Sequence, residues 1–185
     1  MNNRSHSLAD FHIEIWAELG DFTRPRAGFA GLATLATQTA TGPKLRQMVL
    51  RKADRAGAEL VLHTDRETPK VAEIMAEPTV SLLVWNPDTA LQIRVSGRAE
   101  ILGSYAAEKV WSTLPFASRG NHGVNPVPGT EIASADAYER IPDVARLAVI
   151  RITVSNIDAV RLAEPHHVRA RFSQADDWAG QWVAP

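Results

Sequence analysis

The chain has 185 residues, of which 45% are hydrophobic and 22% charged, and these values are typical of a globular protein. This length allows one domain with a substantial core, and we expect residues 1–185 to form a single domain. The net charge of −1 provides no overall field that favours nucleic acid or a membrane. The absence of cysteine excludes disulfides, thiolate metal sites and a cysteine nucleophile.

The first ten residues are polar and lack the apolar core of a signal peptide. The apolar runs of the chain are too short to span a bilayer. Together with the absence of cysteine, these features predict a cytoplasmic protein.

The N-terminal part of the chain predicts a helix and a strand. Residues 8–20 have an apolar stripe at helical spacing, and Gly20 is a natural helix end. A basic connector over residues 23–28 follows, and residues 29–37 are predicted to form the first strand. A turn rich in Thr, Gly and Pro over residues 38–43 leads into the next strand.

A hairpin is predicted in the following stretch. Residues 47–50 and 59–62 have the composition of two strands. The segment from Asp54 to Gly57 between them is typical of a hairpin turn.

A short helix is predicted directly after the hairpin. Thr68 suits the N-cap and Pro69 the first helical position, and Glu77-Pro78 ends the helix. Lys70 then lies in the first turn, where a cation opposes the helix dipole. A bound anion would reverse that effect, since helix N-termini are anion sites. A solvated lysine is the alternative interpretation.

The second half of the chain predicts mostly strands. Residues 79–85 are continuously apolar, which favours a fully buried strand. The other predicted elements are an alternating strand over residues 90–102 with a bend at Gly97, a helix over residues 104–114 capped by Ser104, a long loop over residues 115–137, and strands over residues 147–154, 157–162 and 168–172. Two tryptophans lie close to the C-terminus, and we expect this terminus to dock on the rest of the protein.

The predicted elements sum to about seven short strands and two or three helices. Several strands follow one another with no helix between them. This order favours a mainly β fold, a mostly antiparallel β-barrel with peripheral helices.

Common catalytic and metal motifs are absent from the sequence. No two of the six histidines are spaced i, i+4 on a helix with a glutamate between, so no metal site is predicted. There is no Gly-x-Ser-x-Gly motif, dinucleotide fingerprint or P-loop. Arg94 and Arg98 line one face of a strand, as do Arg169 and Arg171, and a solvated sheet face explains both pairs from the pattern alone.

Several motifs, in order along the chain, resemble the flavin-binding segments of the pyridoxamine 5'-phosphate oxidases and their relatives. They are residues 46–51 (RQMVLR), Asp54 and Gly57, His63-Thr64, Thr68-Pro69-Lys70, Gln92 within residues 91–100, residues 169–172 (RARF) and the closing residues 182–185 (WVAP). The resemblance runs from about residue 30 to the C-terminus, with a gap over residues 119–146.

The resemblance implies a homodimeric FMN-binding split barrel with FMN at the subunit interface. By position, Arg46 and Lys70 would bind the FMN phosphate, and Thr64 and Thr68 would donate hydrogen bonds. Main-chain groups of residues 47–50 would border the isoalloxazine ring. The implied cofactor-binding residues are Arg46, Gln47, Met48, Val49, Leu50, His63, Thr64, Thr68 and Lys70, together with Gln92 and Arg171 contributed by the partner subunit.

The resemblance also implies a small, anionic substrate. The candidate substrate contacts are Arg51, Ser118, His167 and Arg169. The pocket departs from that of the oxidases, because Pro69 replaces a phosphate-binding arginine, and Val110 and Leu114 replace the substrate tyrosine and arginine. We therefore expect an FMN-dependent oxidoreductase with an altered pocket, for which no general base is identified. The alternatives are a non-catalytic flavin binder with a storage, sensing or stress role, and a β-barrel without cofactor.

Overall fold

The computed structural model describes residues 7–24 and 31–185. The predicted connector over residues 23–28 and the start of the predicted first strand lie partly outside the described residues. Within these ranges, no helix is long and apolar enough to cross a membrane.

The described residues form four α-helices and ten strands. The helices are α1 (Leu8–Asp21), α2 (Pro69–Ala76), α3 (Ser104–Thr113) and α4 (Phe116–Arg119). The strands are β1 (Leu32–Thr39), β2 (Gly42–Asp54), β3 (Glu59–Asp65), β4 (Thr79–Asn86), β5 (Leu91–Ile101), β6 (Val124–Asn125), β7 (Glu139–Arg140), β8 (Leu147–Arg161), β9 (Val168–Ser173) and β10 (Gln181–Trp182).

The main sheet closes on itself. Its strand order is β8-β3-β2-β1-β4-β5, and β5 pairs again with β8, so these six strands form a closed barrel. All of the pairs are antiparallel, which confirms the predicted mainly β fold. β9 and β10 extend the sheet beyond the barrel. The 15 residues of β8 allow this arrangement, because the strand pairs with β3 near its start and with β5 and β9 towards its end.

Alternation along the strands builds the core. In β5, Leu91, Ile93 and Val95 are buried, whereas Arg94 and Ser96 are exposed, as the sequence predicts. The predicted apolar stripe of α1 packs on the same core. The barrel therefore has an apolar interior and carries its polar side chains outside.

The C-terminal segment docks on α1, which confirms the prediction. The ring centroid of Trp182 lies 5.7 Å from that of Phe11, and Trp178 stacks on His12 at 5.4 Å. The Trp16 indole Nε1 donates to His12 Nε2 (3.0 Å). Because burial lowers the pKa of His12, its ring stays neutral and can accept this hydrogen bond.

The hairpin of β2 and β3 lies where the sequence predicts it. The Asp54 carboxylate accepts the backbone N–H groups of Ala56 and Gly57 and so closes the turn. The preceding turn is shorter than the predicted residues 38–43, because Thr39 already pairs with Gly42.

The prediction of a fully buried strand over residues 79–85 is wrong. β4 buries only alternate residues, and Leu83 and Trp85 on its outer face are 38% and 44% exposed. A continuous apolar run does not reveal whether one face or both faces of a strand are covered. In the single chain, the outer face of β4 is open.

The predicted break at residues 155–156 is also wrong. These residues lie inside β8, where the register with β5 shifts between Ser96 and Gly97. A Cβ on Gly97 would lie 2.2 Å from the Thr153 carbonyl oxygen, so the close approach requires glycine. Pairing with a distant strand overrides the local turn signal.

The segment after β5 differs from the prediction in two details. Gly103, rather than Ser104, is the N-cap residue of α3, because Ser104 already has helical geometry. The long loop over residues 115–137 contains the single helical turn α4 and the short strand β6.

Candidate functional site

A group of four predicted site residues meets where the β2–β3 hairpin joins α2. We call Arg46, Thr64, Thr68 and Lys70 the cationic cluster. Lys70 Nζ donates to Thr64 Oγ1 (3.1 Å), and the hydroxyls of Thr64 and Thr68 lie 3.4 Å apart. Arg46 is close enough for its charge to lower the pKa of Lys70. The structure thus brings together the residues expected to bind a phosphate.

The N-terminus of α2 has no side-chain cap. Thr68 is the N-cap residue, but its hydroxyl donates to the Asp65 carbonyl oxygen (2.7 Å) and accepts no helix N–H. Pro69 begins the helix, as predicted. Uncapped N–H groups at a helix start favour an anion.

The electrostatics of the cluster also favour an anion. Burial lowers the pKa of Lys70, and the charge of Arg46 lowers it further, while the carboxylates of Glu73 and Asp65 oppose both effects. A cation that is partly desolvated and repelled by a second cation is stabilised when a negative group arrives.

Glu73 is a member of this region that the sequence did not reveal. The Arg46 guanidinium donates to Glu73 Oε2 (2.7 Å) and to the Thr37 hydroxyl, and Thr37 donates to Glu73. Arg46 and Glu73 are only 21% and 15% exposed. This ring of hydrogen bonds fixes Arg46, and two cations with one carboxylate leave a formal charge of +1.

The main chain of β2 has an open edge beside the cluster. On one side, residues 47–49 pair with β1. On the other side, the register with β3 begins only at Leu50, so within the described residues this edge has no strand partner before that point. The unpaired main-chain groups of this edge are free to hydrogen-bond a ligand, which agrees with the expected contact between residues 47–50 and the isoalloxazine ring.

Three other predicted residues, Gln92, Arg169 and Arg171, lie on the outer face of β5 and β9, whereas His63 lies on β3. Gln92 and Arg169 share one cross-strand row, and Arg94, Asp158 and Arg171 share the next. Asp158 pairs with Arg94 (2.9 Å), Arg169 (2.8 Å) and Arg171 (3.2 Å). We call these five residues the arginine patch.

The arginines keep Asp158 ionised. A hydrogen bond from Arg169 is the largest influence and Arg94 adds to it, and against the opposing effect of burial they lower the pKa of Asp158 to about 2. A groove of about 600 Å³ runs past Arg94, Asp158 and Arg171 towards the C-terminal segment.

The cationic cluster and the arginine patch are separate in the single chain. Within the described ranges, no hydrogen bond or ion pair joins a member of one to a member of the other. The residues expected at one flavin site thus form two groups, one on β2, β3 and α2 and the other on β5, β8 and β9.

The remaining predicted substrate residues are dispersed. Arg51 is exposed on β2 and Ser118 lies in α4. His167 is exposed before β9, and its Nδ1 accepts the Ala163 N–H (3.1 Å). His122, which no sequence pattern marked, is buried beside Arg51 and His63.

Comparison with known proteins supports the flavin interpretation. The family model of the pyridoxamine 5'-phosphate oxidase FMN-binding domain matches residues 17–103. A curated pyridoxine/pyridoxamine 5'-phosphate oxidase from Granulibacter bethesdensis is 37% identical over 90 residues, which are 46% of this chain and 42% of the relative. The matches span less than half the length of each of the curated relatives.

Solved structures share the whole fold at low identity. An FMN-binding protein related to pyridoxamine 5'-phosphate oxidase from Nostoc punctiforme PCC 73102 has a TM-score of 0.74 at 21% identity, over 98% of this chain and 100% of that one. PhzG from Burkholderia lata 383, in complex with tetrahydrophenazine-1-carboxylic acid, has a TM-score of 0.72 at 18% identity, over 99% and 95%. Together these matches confirm the family resemblance and the fold.

Proposed function

We propose that this chain, a relative of the pyridoxamine 5'-phosphate oxidases through its FMN-binding domain, is an FMN-dependent oxidoreductase. The observation that carries the proposal is the meeting of Arg46, Thr64, Thr68 and Lys70 at the uncapped start of α2, beside an open strand edge. When bound, the flavin supplies the hydride chemistry. The protein positions it and shapes access to it.

Each part of the site has a defined task in this proposal. Arg46 and Lys70 neutralise the phosphate, and the hydroxyls of Thr64 and Thr68 donate hydrogen bonds to it. Glu73 and Thr37 fix the guanidinium of Arg46 before the cofactor arrives. The open edge of residues 47–49 binds the polar rim of the isoalloxazine ring.

We also propose that the protein acts as a homodimer. Gln92 and Arg171 lie on β5 and β9, whereas the cationic cluster lies on β2, β3 and the start of α2, and no hydrogen bond or ion pair joins the two groups within the described residues. A second copy can place its arginine patch against the first copy's cluster. The exposed Leu83 and Trp85 on β4 are apolar surface of the kind that subunit contacts cover.

We expect the substrate to be a small anion, and we expect pyridoxamine 5'-phosphate to bind poorly. Val110 packs with Trp111 in an apolar cluster under α3, and Leu114 is buried, so neither can bind a phosphate. Arg51, Ser118, His167 and Arg169 remain as the candidate contacts.

FMN titration tests the proposal directly. We expect purified protein to bind FMN at least tenfold more tightly than riboflavin, which lacks the phosphate, since charge-assisted bonds contribute about 1.5–3 kcal/mol each. Equal affinity for the two ligands, or binding of neither, would refute the phosphate site.

Subunit mixing tests the shared site. A homodimer of Lys70→Ala, or of Arg171→Ala, carries the substitution in both of its FMN sites. In a mixed dimer of the two variants, one site has both substitutions and the other site has neither. Mixing the two weak binders should therefore restore tight binding of about half an equivalent of FMN per chain in the mixed dimers. A monomer in solution, or no recovery on mixing, would contradict the dimer.

Anaerobic reduction separates an enzyme from a passive binder. Bleaching of bound FMN by a substrate or reduced nicotinamide, followed by recolouring in air, supports catalysis. If FMN binds but no tested donor reduces it, the alternative of a flavin storage or sensing protein is favoured.

A further inference from the structure

Three side chains meet beside the cationic cluster without belonging to it. Arg51 lies at a bulge of β2, where the register with β3 moves from Leu50 to Lys52. A bulge turns a side chain out of the regular alternation, and Arg51 is exposed here. His63 lies on the outer face of β3, and His122 comes from the loop after α4.

His122 is fixed in place by the structure around it. The next residue, Gly123, donates its N–H to the Asp65 carboxylate (2.8 Å), which is also bound by Arg146 (2.8 Å). The Trp111 ring lies 6.4 Å from the His122 ring in an edge contact. His122 is consequently 5% exposed, although it belongs to a long loop.

Both histidines have an unsatisfied nitrogen. The Nδ1 atoms of His63 and His122 are buried and have no hydrogen-bond partner. A buried polar atom without a partner costs free energy, and it is retained where a ligand or proton can use it.

The charge around the pair is mainly positive. Burial lowers the pKa of His63 to about 4, with further lowering by Arg51 and His122. Burial also lowers the pKa of His122, as does Arg51, against the opposing effects of the Thr64 backbone and the Asp65 carboxylate. Asp65 is already paired with Arg146.

We propose that Arg51, His63 and His122 bind the acid group of the substrate, a phosphate or a carboxylate, and that a proton from solvent enters the histidine pair as it binds. The proposal rests on the proposed function, since it names the substrate's acid group. Arg51 supplies the accessible positive charge, and the buried imidazoles supply a second one only when an anion is present. The histidine pair thereby replaces the phosphate-binding side chains that Val110 and Leu114 cannot provide.

Proton uptake is the decisive measurement. Calorimetry of FMN-saturated protein with sulfate, a phosphate analogue that carries no proton to donate at pH 6, and, separately, with acetate at pH 6 in two buffers of different ionisation enthalpy gives the number of protons bound. We expect uptake approaching about one proton with at least one probe. The probe that binds more tightly identifies the acid group. Binding without uptake, or no binding of either probe, overturns the proposal.

Histidine NMR locates the proton. The ring signals of His63 or His122 should move to a pKa at least about one unit higher when the probe is bound. His122→Gln should abolish most of the uptake, whereas His166→Gln, at an exposed histidine, should leave it unchanged. Arg51→Gln should weaken probe binding at least tenfold. Equal effects of His122→Gln and His166→Gln would also overturn the proposal.

The same titrations on a second variant distinguish a failure of this proposal from a failure of the flavin assignment. If the protein binds no FMN, the flavin assignment fails, but the same titrations on the Lys70→Ala variant still test the histidine pair. That variant removes phosphate binding at the cationic cluster. Proton uptake that persists there and disappears with His122→Gln belongs to the histidine pair.

Discussion

In the cationic cluster, Arg46 forms a mostly buried ion pair with Glu73, and Lys70 lies beside it at the start of α2. In the arginine patch, three arginines share Asp158 on the outside of a sheet, where Arg94 and Arg171 are 45% and 54% exposed. Solvent screens these two arginines more than Arg46, although Arg169 and Asp158 are only 20% and 22% exposed. The difference indicates that the cluster supplies binding energy within one chain, whereas the patch becomes effective when a partner covers it.

Removing a cation from the cluster should have the largest effect. Lys70→Ala or Arg46→Ala should weaken FMN binding at least tenfold, because each removes a charge-assisted bond of about 1.5–3 kcal/mol. Fluorescence titration measures this loss, and riboflavin affinity should change little. Lys52→Ala, which removes a lysine paired with Asp54 in the same hairpin, is the matched control. Unchanged FMN affinity in both cluster variants would remove the contrast between the two regions.

Removing the carboxylates should separate the two regions by stability. Glu73→Ala leaves the mostly buried Arg46 without its carboxylate, which should lower the free energy of unfolding by about 1–3 kcal/mol. Asp158→Ala leaves Arg94 and Arg171 largely solvated, and Arg169, which is 20% exposed, keeps a path to water, so the loss should be smaller, about 1 kcal/mol. Urea unfolding of both variants makes the comparison. A larger loss for Asp158→Ala would show that the patch is the more enclosed group.

Acid should destabilise the histidine pair beside the cationic cluster and the arginine patch in different pH ranges. His63 has a folded pKa of about 4, below the ordinary histidine value of 6.5, so the unfolded chain binds the proton first and stability falls as the pH drops from about 6.5 towards 4. Asp158 has a folded pKa of about 2, below the ordinary aspartate value of 3.8, so its contribution is lost only below about pH 4. We expect each loss to be on the order of 1 kcal/mol after allowance for solvent screening. The first loss should be smaller in His63→Gln, where the lowered pKa values of His12 and His122 still contribute, and the second loss should be smaller in Asp158→Asn; pH-dependent urea unfolding measures both.

Added salt should change FMN affinity least, but its effect on the Arg171→Ala and Lys70→Ala variants distinguishes the two regions directly. The effect of Arg171→Ala on FMN affinity should shrink several-fold between low salt and about 0.5 M, because exposed charges are screened within a few ångströms. The effect of Lys70→Ala should persist. Equal salt sensitivity of both effects would place Lys70 in solvent.

Local chemistry made much of this fold predictable. The turn from Asp54 to Gly57 and the helix start at Thr68 and Pro69 depend on a few adjacent residues, so their sequence determines their geometry. The open face of β4 is not local information, since it depends on what covers the strand. The continuity of β8 through residues 155–156 likewise depends on distant strands.

The site was predictable only in part for the same reason. Arg46, Thr64, Thr68 and Lys70 follow from ordered motifs within 25 residues of sequence, and the structure brings them together. Glu73 pairs with a residue 27 positions earlier, and His122 depends on a loop bound by Asp65. Such long-range contacts leave no periodic trace in the chain.

Thr64 and Asp65 are consecutive on β3, yet they serve different neighbours. Thr64 accepts a hydrogen bond from Lys70, while Asp65 binds Gly123 within the long loop and Arg146 just before β8. A ligand that holds Thr64 more firmly should also restrain Asp65, because one peptide unit joins the two residues. Occupation of the nucleotide pocket should therefore protect the peptide bonds between Gly123 and Arg146 from proteases, even though that segment lies largely on the surface.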